Sequence, residues 1–428
     1  MAKKKRIRRL KRIRAIPILL FFIVLLSAFI PSGNTGFDKD SIKAVGNPEA
    51  TPPKLKAGAA EIYSLDMDKA VYSKNGDKRI DPYSITKILT CYLAIENLDM
   101  DKVVTASKNA TKVLEDGSSI LLEEGEEMKV IDLLYGAMMV SGNDAATALG
   151  EAVAGSEDKF AEMMTKQAED WGCTDTHFVN ANGWKNKEHY TTAHDMAIIT
   201  ARCFENEKLR DIAETWKYVI PATNKSDERY LVNYTIQNTA ELGYVNYGKT
   251  GGWGSEDCSI AVEFSKDNLN AAIVLLRDTI DKRPSDLKKL IEFSQKVTPG
   301  FRATTEGRDT VGVKVKGGEE TTTYLAPDKT IYVYPQDNKK GEVKVKVETD
   351  KLTAPVKKGV KAGAYTVLVN GAEFDSGDLI TTENVRKGGA LSKLYISNET
   401  AKRCGTTLLV LFLLILLMSI QIARVAKK

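Results

Sequence analysis

Three short polar motifs in this 428-residue chain carry side chains suited to nucleophilic chemistry. The first is DPYSITKILT (residues 81–90), where Pro82 suits the first turn of a helix and Ser84 precedes Lys87 by three residues. That spacing places both side chains on one helix face. Lys87 can accept the serine proton only as a neutral amine, which requires burial and a second nearby cation. Taken alone, the motif is explained better by a capping serine and a surface lysine.

The second and third motifs supply groups that a peptide substrate needs. In SGNDAATAL, Ser141 and Asn143 lie between two apolar helical runs, where a hydroxyl and an amide can relay a proton and hold a substrate amide. In NYGKTGGWGS, Lys249 and Thr250 can bind a carboxylate, and Lys249 is a candidate for the second cation. Gly251 lets a substrate backbone approach the strand. Turn and cap residues explain each motif if it is taken separately.

A phosphate-binding loop is a further interpretation of the third motif. The GKT triplet lacks the earlier glycine of a Walker sequence, and it precedes a strand-like run, SIAVEF, rather than a helix. A hairpin or a substrate-binding strand therefore explains this segment better than a nucleotide site.

The charge distribution excludes a nucleic-acid-binding body. Nine of the 61 basic residues lie within residues 3–14, so the other 52 face 57 acidic residues. A mildly acidic body does not supply the cations that phosphate neutralisation requires.

Both ends of the chain carry apolar runs. Residues 15–30 follow the basic head directly, a pattern typical of a secretory signal or an uncleaved signal anchor. Residues 406–423 are long and apolar enough to cross a bilayer, and Arg424, Lys427 and Lys428 follow them. By the positive-inside tendency, we expect a cytoplasmic C-terminus and an extracytoplasmic body anchored in the cell membrane.

The segment between these ends divides by composition. Residues 31–58 are rich in Pro, Gly, Asn and Lys and indicate a linker. Residues 59–298 combine strand-like runs, including YVI, YLVNYTI and LNAAIVLL, with a central helical region, which predicts an α/β (α+β) body with a mostly antiparallel sheet. Residues 299–398 consist of short alternating strands and turns, which indicates a small all-β domain.

The cysteine and histidine content gives little support for disulfide bonds or for a metal-binding site. The five cysteines show no CxxC pair, so we expect buried free thiols rather than a disulfide framework. Only three histidines occur, which makes a histidine-based metal site improbable.

The three motifs in this order, S-x-x-K, S-x-N and K-T-G, are the signature of penicillin-recognising serine enzymes. From about Ala60 to Lys296 the sequence resembles the D-alanyl-D-alanine carboxypeptidases, the low-molecular-mass penicillin-binding proteins. PYSITKILT, GSSILLEEGEEMKVIDLLYGAMMVSGNDAATALGE and HFVNANGWKNKEHYTTAHDMAIIT resemble blocks of that family. The chain departs from it after the third motif, where Gly252 and Trp253 stand in place of an aromatic or His and a Thr.

The resemblance implies a penicillin-binding, β-lactamase-like transpeptidase fold, followed by the β domain and a C-terminal transmembrane helix. It implies an acyl-enzyme on Ser84, with Lys87 as the base and with Ser141 and Asn143 in proton transfer and substrate positioning. Lys249, Thr250, Gly251 and Gly252 would bind the substrate, and the N–H groups of Ser84 and Gly252 would form the oxyanion hole. No metal or organic cofactor is needed. The implied substrate is a peptidoglycan stem peptide ending in D-Ala-D-Ala, and β-lactams would acylate Ser84.

Three alternatives remain. A class A β-lactamase shares the motifs, but no convincing E-x-x-L-N segment lies between Asn143 and Lys249. A D,D-endopeptidase that cuts crosslinks is compatible with every motif. A non-catalytic surface-binding or adhesion protein could have retained an ancestral enzyme fold, but the intact Ser84 and Lys87 argue against it.

Overall fold

The fold was determined as a computed structural model that describes residues 42–112, 117–334 and 342–426. The described residues fall into two compact units, one formed mainly by Ala44–Phe301 and the other by Arg302–Ile331 with residues from 342 onward. The N-terminal apolar run at 15–30 and the first part of the linker, up to residue 41, lie outside the described residues.

In chain order the strands are β1 (Lys43–Val45), β2 (Ala59–Ser64), β3 (Lys69–Lys74), β4 (Val103–Thr105), β5 (Glu127–Lys129), β6 (Lys217–Ile220), β7 (Arg229–Val232), β8 (Val245–Trp253), β9 (Asp257–Lys266), β10 (Leu269–Asp278), β11 (Gly300–Thr304), β12 (Val311–Lys316), β13 (Thr322–Pro327), β14 (Ile331–Val333), β15 (Val343–Thr349), β16 (Leu352–Thr353), β17 (Lys361–Val369) and β18 (Ala372–Thr381). The α-helices are α1 (Lys87–Asn97), α2 (Val130–Met139), α3 (Asn143–Ala154), α4 (Glu157–Asp170), α5 (Ala193–Cys203), α6 (Glu207–Glu214), α7 (Tyr234–Thr239), α8 (Arg283–Val297) and α9 (Asn398–Ala426).

The first unit is built on a five-stranded sheet in the order β3-β2-β10-β9-β8. Its neighbouring strands pair antiparallel, as the alternating strand patterns predict. Strand β8, which carries the third motif, is the last strand in this order and so lies at an edge of the sheet.

Side chains of β10 alternate between two hydrophobic cores because successive residues of a strand point to opposite faces. Val274 belongs to the core shared with the helical region, which includes α1, α2, α3 and α5. Ile273 belongs to the opposite core, where Leu287 and Leu290 of α8 cover the sheet. The sheet is therefore buried on both faces, and the helical region on one face carries the first two motifs.

The prediction of a strand at YLVNYTI is correct only for the first part of this segment. Strand β7 ends at Val232, and helix α7 begins at Tyr234. The Asn233 side chain accepts hydrogen bonds from the N–H groups of Thr235 (3.0 Å) and Ile236 (3.2 Å), which caps the helix. An N-cap in the middle of the apolar run therefore changes the backbone from strand to helix.

The second unit contains a six-stranded sheet in the order β15-β17-β18-β13-β12-β16. Val313, Leu325, Val367 and Leu379 are among its buried apolar residues. Helix α9 follows, and its segment Asn398–Leu417 is long and apolar enough to cross a membrane, with a mean hydropathy of 1.8. This candidate span begins eight residues before the predicted one at 406–423.

The five cysteines, all within the described residues, are free thiols, and the four in the first unit are buried. The expectation of buried free thiols is therefore confirmed for Cys91, Cys173, Cys203 and Cys258.

A buried ion pair joins β7 to the loop before β5. Arg229 donates to both carboxylate oxygens of Glu126, at 2.8 and 2.9 Å, and the Glu126 side chain is fully buried. Burial alone would raise the pKa of Glu126, but hydrogen bonds from Arg229 and Thr223 outweigh it and lower that pKa.

We expect Arg229→Ala to lower the free energy of unfolding by about 3–5 kcal/mol because it leaves a buried carboxylate without its cation. Arg79→Ala is the matched control: Arg79 pairs with Asp175 with both side chains about half exposed, so its loss should cost about 0–1 kcal/mol. Urea unfolding of the two variants measures the difference. Equal losses would contradict a structural role for the buried pair.

Candidate active site

The Ser84 motif forms a tight turn before helix α1. Residues Tyr83–Thr86 adopt a 3-10 turn, and α1 begins at Lys87, so the expected helix start lies three residues later than Ser84. A 3-10 turn brings residues i and i+3 into line, so the one-face prediction still applies. The Ser259 hydroxyl donates to the Pro82 carbonyl oxygen at 2.8 Å and ties this turn to β9.

The Lys87 amine is fully buried among oxygen atoms. Its Nζ lies 3.0 Å from Ser84 Oγ, 2.7 Å from Asn143 Oδ1 and 2.6 Å from the Asn182 carbonyl oxygen. One amine thus joins the first motif to the second and to the loop after α4. Because no carboxylate is among these partners, the pocket does not hold the amine in its charged form.

The second motif is the junction between α2 and α3. Ser141 is buried and has a φ of +63°, and Asn143 is the first residue of α3. The Asn143 N–H donates to the Ser118 carbonyl oxygen at 2.8 Å. In the described structure no hydrogen bond joins the Ser141 hydroxyl to Ser84 or to Lys87, although Asn143, two residues further on, accepts from Lys87.

The third motif runs along β8 beside the Ser84 turn. Lys249 is fully buried and pairs in register with Ala261 of β9. A Cβ added at Gly251 would lie 2.9 Å from the Ser84 nitrogen, so only glycine lets the strand approach the turn this closely. Thr250 is partly exposed, and its N–H donates to Thr235 Oγ1 at 3.1 Å.

The two lysines are electrostatically coupled. Burial lowers the pKa of Lys87 well below 10.5, and the charge of Lys249 lowers it further. Burial also lowers the pKa of Lys249, to about 7, and the charge of Arg283 acts in the same direction. These are the two conditions, desolvation and a neighbouring cation, that a neutral Lys87 requires.

A cavity of about 380 Å³ opens beside the pair, and among its lining residues are Ser84, Asn143 and Gly252. Trp184 and Trp253 also line it. Lys87 and Lys249 are buried behind this surface rather than lining it. The cavity therefore exposes the serine to a ligand while it shields the amine from water.

Two features that the motif analysis did not identify position these groups. The carbonyl of Asn182 accepts from Lys87, and a Cβ at the next residue, Gly183, would lie 1.9 Å from the Tyr83 carbonyl oxygen. Arg283 donates to the carbonyl oxygens of Gly251 (3.3 Å) and Ser259 (3.1 Å) and so holds β8 against β9. The FVNANG block was a signal for the first feature; nothing near Arg283 distinguished it as part of the site.

His189 is a buried histidine that contacts the Ser84 turn. Its Nδ1 accepts from the Val179 N–H at 3.2 Å, so its Nε2 donates to Thr86 Oγ1 at 3.1 Å. Burial lowers its pKa to about 3, so the ring is neutral. Within the described residues, no group of three or more His, Cys, Asp or Glu side chains is arranged to hold a metal ion.

Two family models match the chain. Residues 47–278 match the family model described as D-alanyl-D-alanine carboxypeptidase. Residues 304–387 match the model described as penicillin-binding protein 5, C-terminal domain.

Curated relatives match along most of their length. The chain is 28% identical to D-alanyl-D-alanine carboxypeptidase DacF of Bacillus subtilis, over 89% of this chain and 97% of that protein. It is 26% identical to D-alanyl-D-alanine carboxypeptidase DacA of Haemophilus influenzae, over 90% of this chain and 97% of that protein.

Solved structures share the fold. Penicillin-binding protein 5 from Haemophilus influenzae superposes with a TM-score of 0.54 at 24% identity, covering 79% of this chain and 100% of that chain. The Streptomyces K15 DD-transpeptidase gives a TM-score of 0.53 at 24% identity, covering 57% of this chain and 98% of that chain. The predicted fold class is confirmed, and the chain belongs to the D-alanyl-D-alanine carboxypeptidase family of serine peptidases.

Proposed function

We propose that this enzyme removes the terminal D-alanine from peptidoglycan stem pentapeptides through an acyl-ester on Ser84. The observation that carries the proposal is the buried Lys87 amine, 3.0 Å from Ser84 Oγ and without a carboxylate among its hydrogen-bond partners. A peptidase without this neutral base would lack a group to activate its serine.

The hydrogen-bond partners of Lys87 support one direction for the proton transfer, from Ser84 to the amine. A neutral amine has two N–H donors and one lone pair. The oxygens of Asn143 and Asn182 accept its two N–H groups. The lone pair is then left for Ser84 Oγ, whose O–H donates to it. This is the arrangement that a general base needs before the serine attacks.

In the acylation step, Ser84 Oγ attacks the carbonyl carbon of the penultimate D-alanine while its proton passes to Lys87. The N–H groups of Ser84 and Gly252 would stabilise the oxyanion that forms. The C–N bond then breaks, and the amine of the terminal D-alanine leaves with a proton delivered through Ser141. Water hydrolyses the ester, which releases the shortened peptide and regenerates Ser84.

The substrate ends in a carboxylate, and β8 provides groups for it. Lys249 and Thr250 would bind this carboxylate, and Gly251 would let the substrate backbone lie along the strand edge. Asn143 uses its amide oxygen for Lys87, so its NH₂ group is left for a substrate carbonyl in the cavity that it lines.

The same groups would accept a β-lactam as a D-Ala-D-Ala mimic, which would acylate Ser84. The apolar helix α9 supports attachment to the cell membrane, with the first unit on the extracytoplasmic side where peptidoglycan lies. In chain order the catalytic domain at residues 59–298 and the β domain at residues 299–398 would then precede the anchor.

Fluorescent penicillin should label the wild-type protein, and Ser84→Ala should abolish labelling because no nucleophile remains. Lys87→Ala should lower the acylation rate by about 10²–10⁴-fold, the range expected for loss of a general base. Gel fluorescence after timed exposure measures both. Normal labelling of Lys87→Ala would contradict its role, and Lys166→Ala, an exposed lysine of α4, is the control.

The pH dependence of kcat/KM should reflect the protonation states of Lys87 and Lys249. Activity should rise with pH as Lys87 loses its proton, and it should fall above about pH 7 as Lys249 loses the charge that binds the carboxylate. Lys249→Arg keeps its charge, so we expect the falling limb to move upward by about one pH unit or more. If the falling limb does not move in Lys249→Arg, another group is responsible for it.

The bond that is cut can be determined with two substrates. A stem pentapeptide should lose D-alanine, measured by mass spectrometry, whereas a crosslinked dimer should be cut more slowly. Faster cleavage of the dimer would make the enzyme a D,D-endopeptidase instead.

A further inference from the structure

Tyr83, the residue before Ser84, has an unusual backbone conformation. Its φ is +54°, in the left-handed region that residues other than glycine rarely adopt, and it is only 3% exposed. Such a conformation is strained and persists only where the surrounding structure holds it. The contacts of Tyr83 therefore indicate what keeps the Ser84 turn in place.

The Tyr83 hydroxyl ties this turn to the β8–β9 hairpin. It donates to Asp257 Oδ2 at 2.9 Å, and Asp257 is the first residue of β9. Burial, together with the Asp257 carboxylate, raises the pKa of Tyr83 above its usual value, so the phenol keeps its proton and remains a donor. The other carboxylate oxygen, Oδ1, is buried and has no hydrogen-bond partner in the described structure. The phenol is therefore the donor on which the Asp257 side chain depends.

This hydrogen bond lies close to both halves of the oxyanion hole. Tyr83 directly precedes Ser84, and Asp257 pairs in register with Trp253, the residue after Gly252. The bond thus links the two chain segments that carry the N–H groups of the oxyanion hole in the proposed function, on which this inference rests.

The position of these N–H groups depends on the backbone of Tyr83. The Ser84 N–H belongs to the peptide group that follows Tyr83, so the backbone angles of Tyr83 set its direction. Strand β8 packs against the turn so closely that a Cβ at Gly251 would lie 2.9 Å from the Ser84 nitrogen. However, no main-chain hydrogen bond joins β8 to Tyr83 or Ser84 among the described residues. Close packing alone does not fix the direction of the N–H group, whereas a side-chain hydrogen bond does.

We propose that Tyr83 is a positioning residue: its hydrogen bond to Asp257 holds the Ser84 turn in its positive-φ conformation and sets the separation of the Ser84 and Gly252 N–H groups. The contact acts mainly on the transition state, because the negative charge of the oxyanion develops only there. The S-x-x-K signature begins at Ser84, so it assigns no role to the tyrosine before it.

Tyr83→Phe tests this role because it removes the hydroxyl but keeps the ring that lines the cavity. For D-alanine release from a stem pentapeptide by the full-length protein, kcat should fall about 10–100-fold, since a displacement of about 1 Å can cost about 100-fold. KM should change little, because the neutral carbonyl of the bound substrate gains little from the hole. Asp257→Ala should have a similar effect, and the double variant should lose no more than either single variant because both changes remove one contact.

Tyr218→Phe is the matched control. The Tyr218 hydroxyl donates to Asp132 Oδ1 at 2.7 Å in the same unit, but neither residue lines the catalytic cavity. Urea unfolding should show similar losses of stability in Tyr83→Phe and Tyr218→Phe, whereas only Tyr83→Phe should lower kcat.

Fluorescent-penicillin labelling of the wild type separates this inference from the proposed function. A wild type that neither labels nor releases D-alanine overturns the proposed function. If the wild type releases D-alanine but Tyr83→Phe keeps its kcat, the positioning role is overturned while the function stands. A loss that appears in KM alone, or equally in Tyr218→Phe, also overturns it. A lower kcat in Tyr83→Phe at nearly unchanged KM, with no further loss in the double variant, supports it.

Discussion

The site depends on the burial of one amine. Lys87 lies where water cannot reach it, with two oxygen acceptors and one hydroxyl as its nearest partners. An ammonium group in such a place would lose its hydration without gaining a counter-ion, so the neutral form is favoured. Three separate stretches of chain must converge to build this environment: the turn before α1, the α2–α3 junction and the loop after α4.

The five-stranded sheet contributes the remaining groups of the site. Strand β8 brings a second buried lysine toward the first, and its glycine at 251 allows main chain to contact main chain at the Ser84 turn. Arg283 from α8 holds this strand through two carbonyl oxygens and adds a further positive charge near Lys249. The low pKa values of the two lysines are thus a product of tertiary packing, since burial and charges from distant parts of the chain produce them.

Much of this arrangement was predictable from the sequence because the motifs are local. The alternation of apolar residues indicated the antiparallel sheet, and the order of the three motifs indicated one site. The FVNANG block marked the loop of Asn182, but the acceptor role of its carbonyl was not predictable, because a main-chain contact does not depend on residue type. The helix at Tyr234 was missed because a single cap residue, Asn233, overrides the strand propensity around it. Arg283 was missed because its contacts are with main-chain atoms far away in sequence.

Two glycines that touch the Ser84 turn, Gly183 and Gly251, leave no space for a larger residue. A methyl group would collide with the main chain of Tyr83 at Gly183, and with the Ser259 hydroxyl and the main chain of Ser84 at Gly251. Larger residues are therefore excluded at these two positions unless the Ser84 turn moves. The end of the β8–β9 hairpin is different, because the Trp253 side chain is 46% exposed and lies between glycines, so its replacement would disturb no main-chain contact of the Ser84 turn.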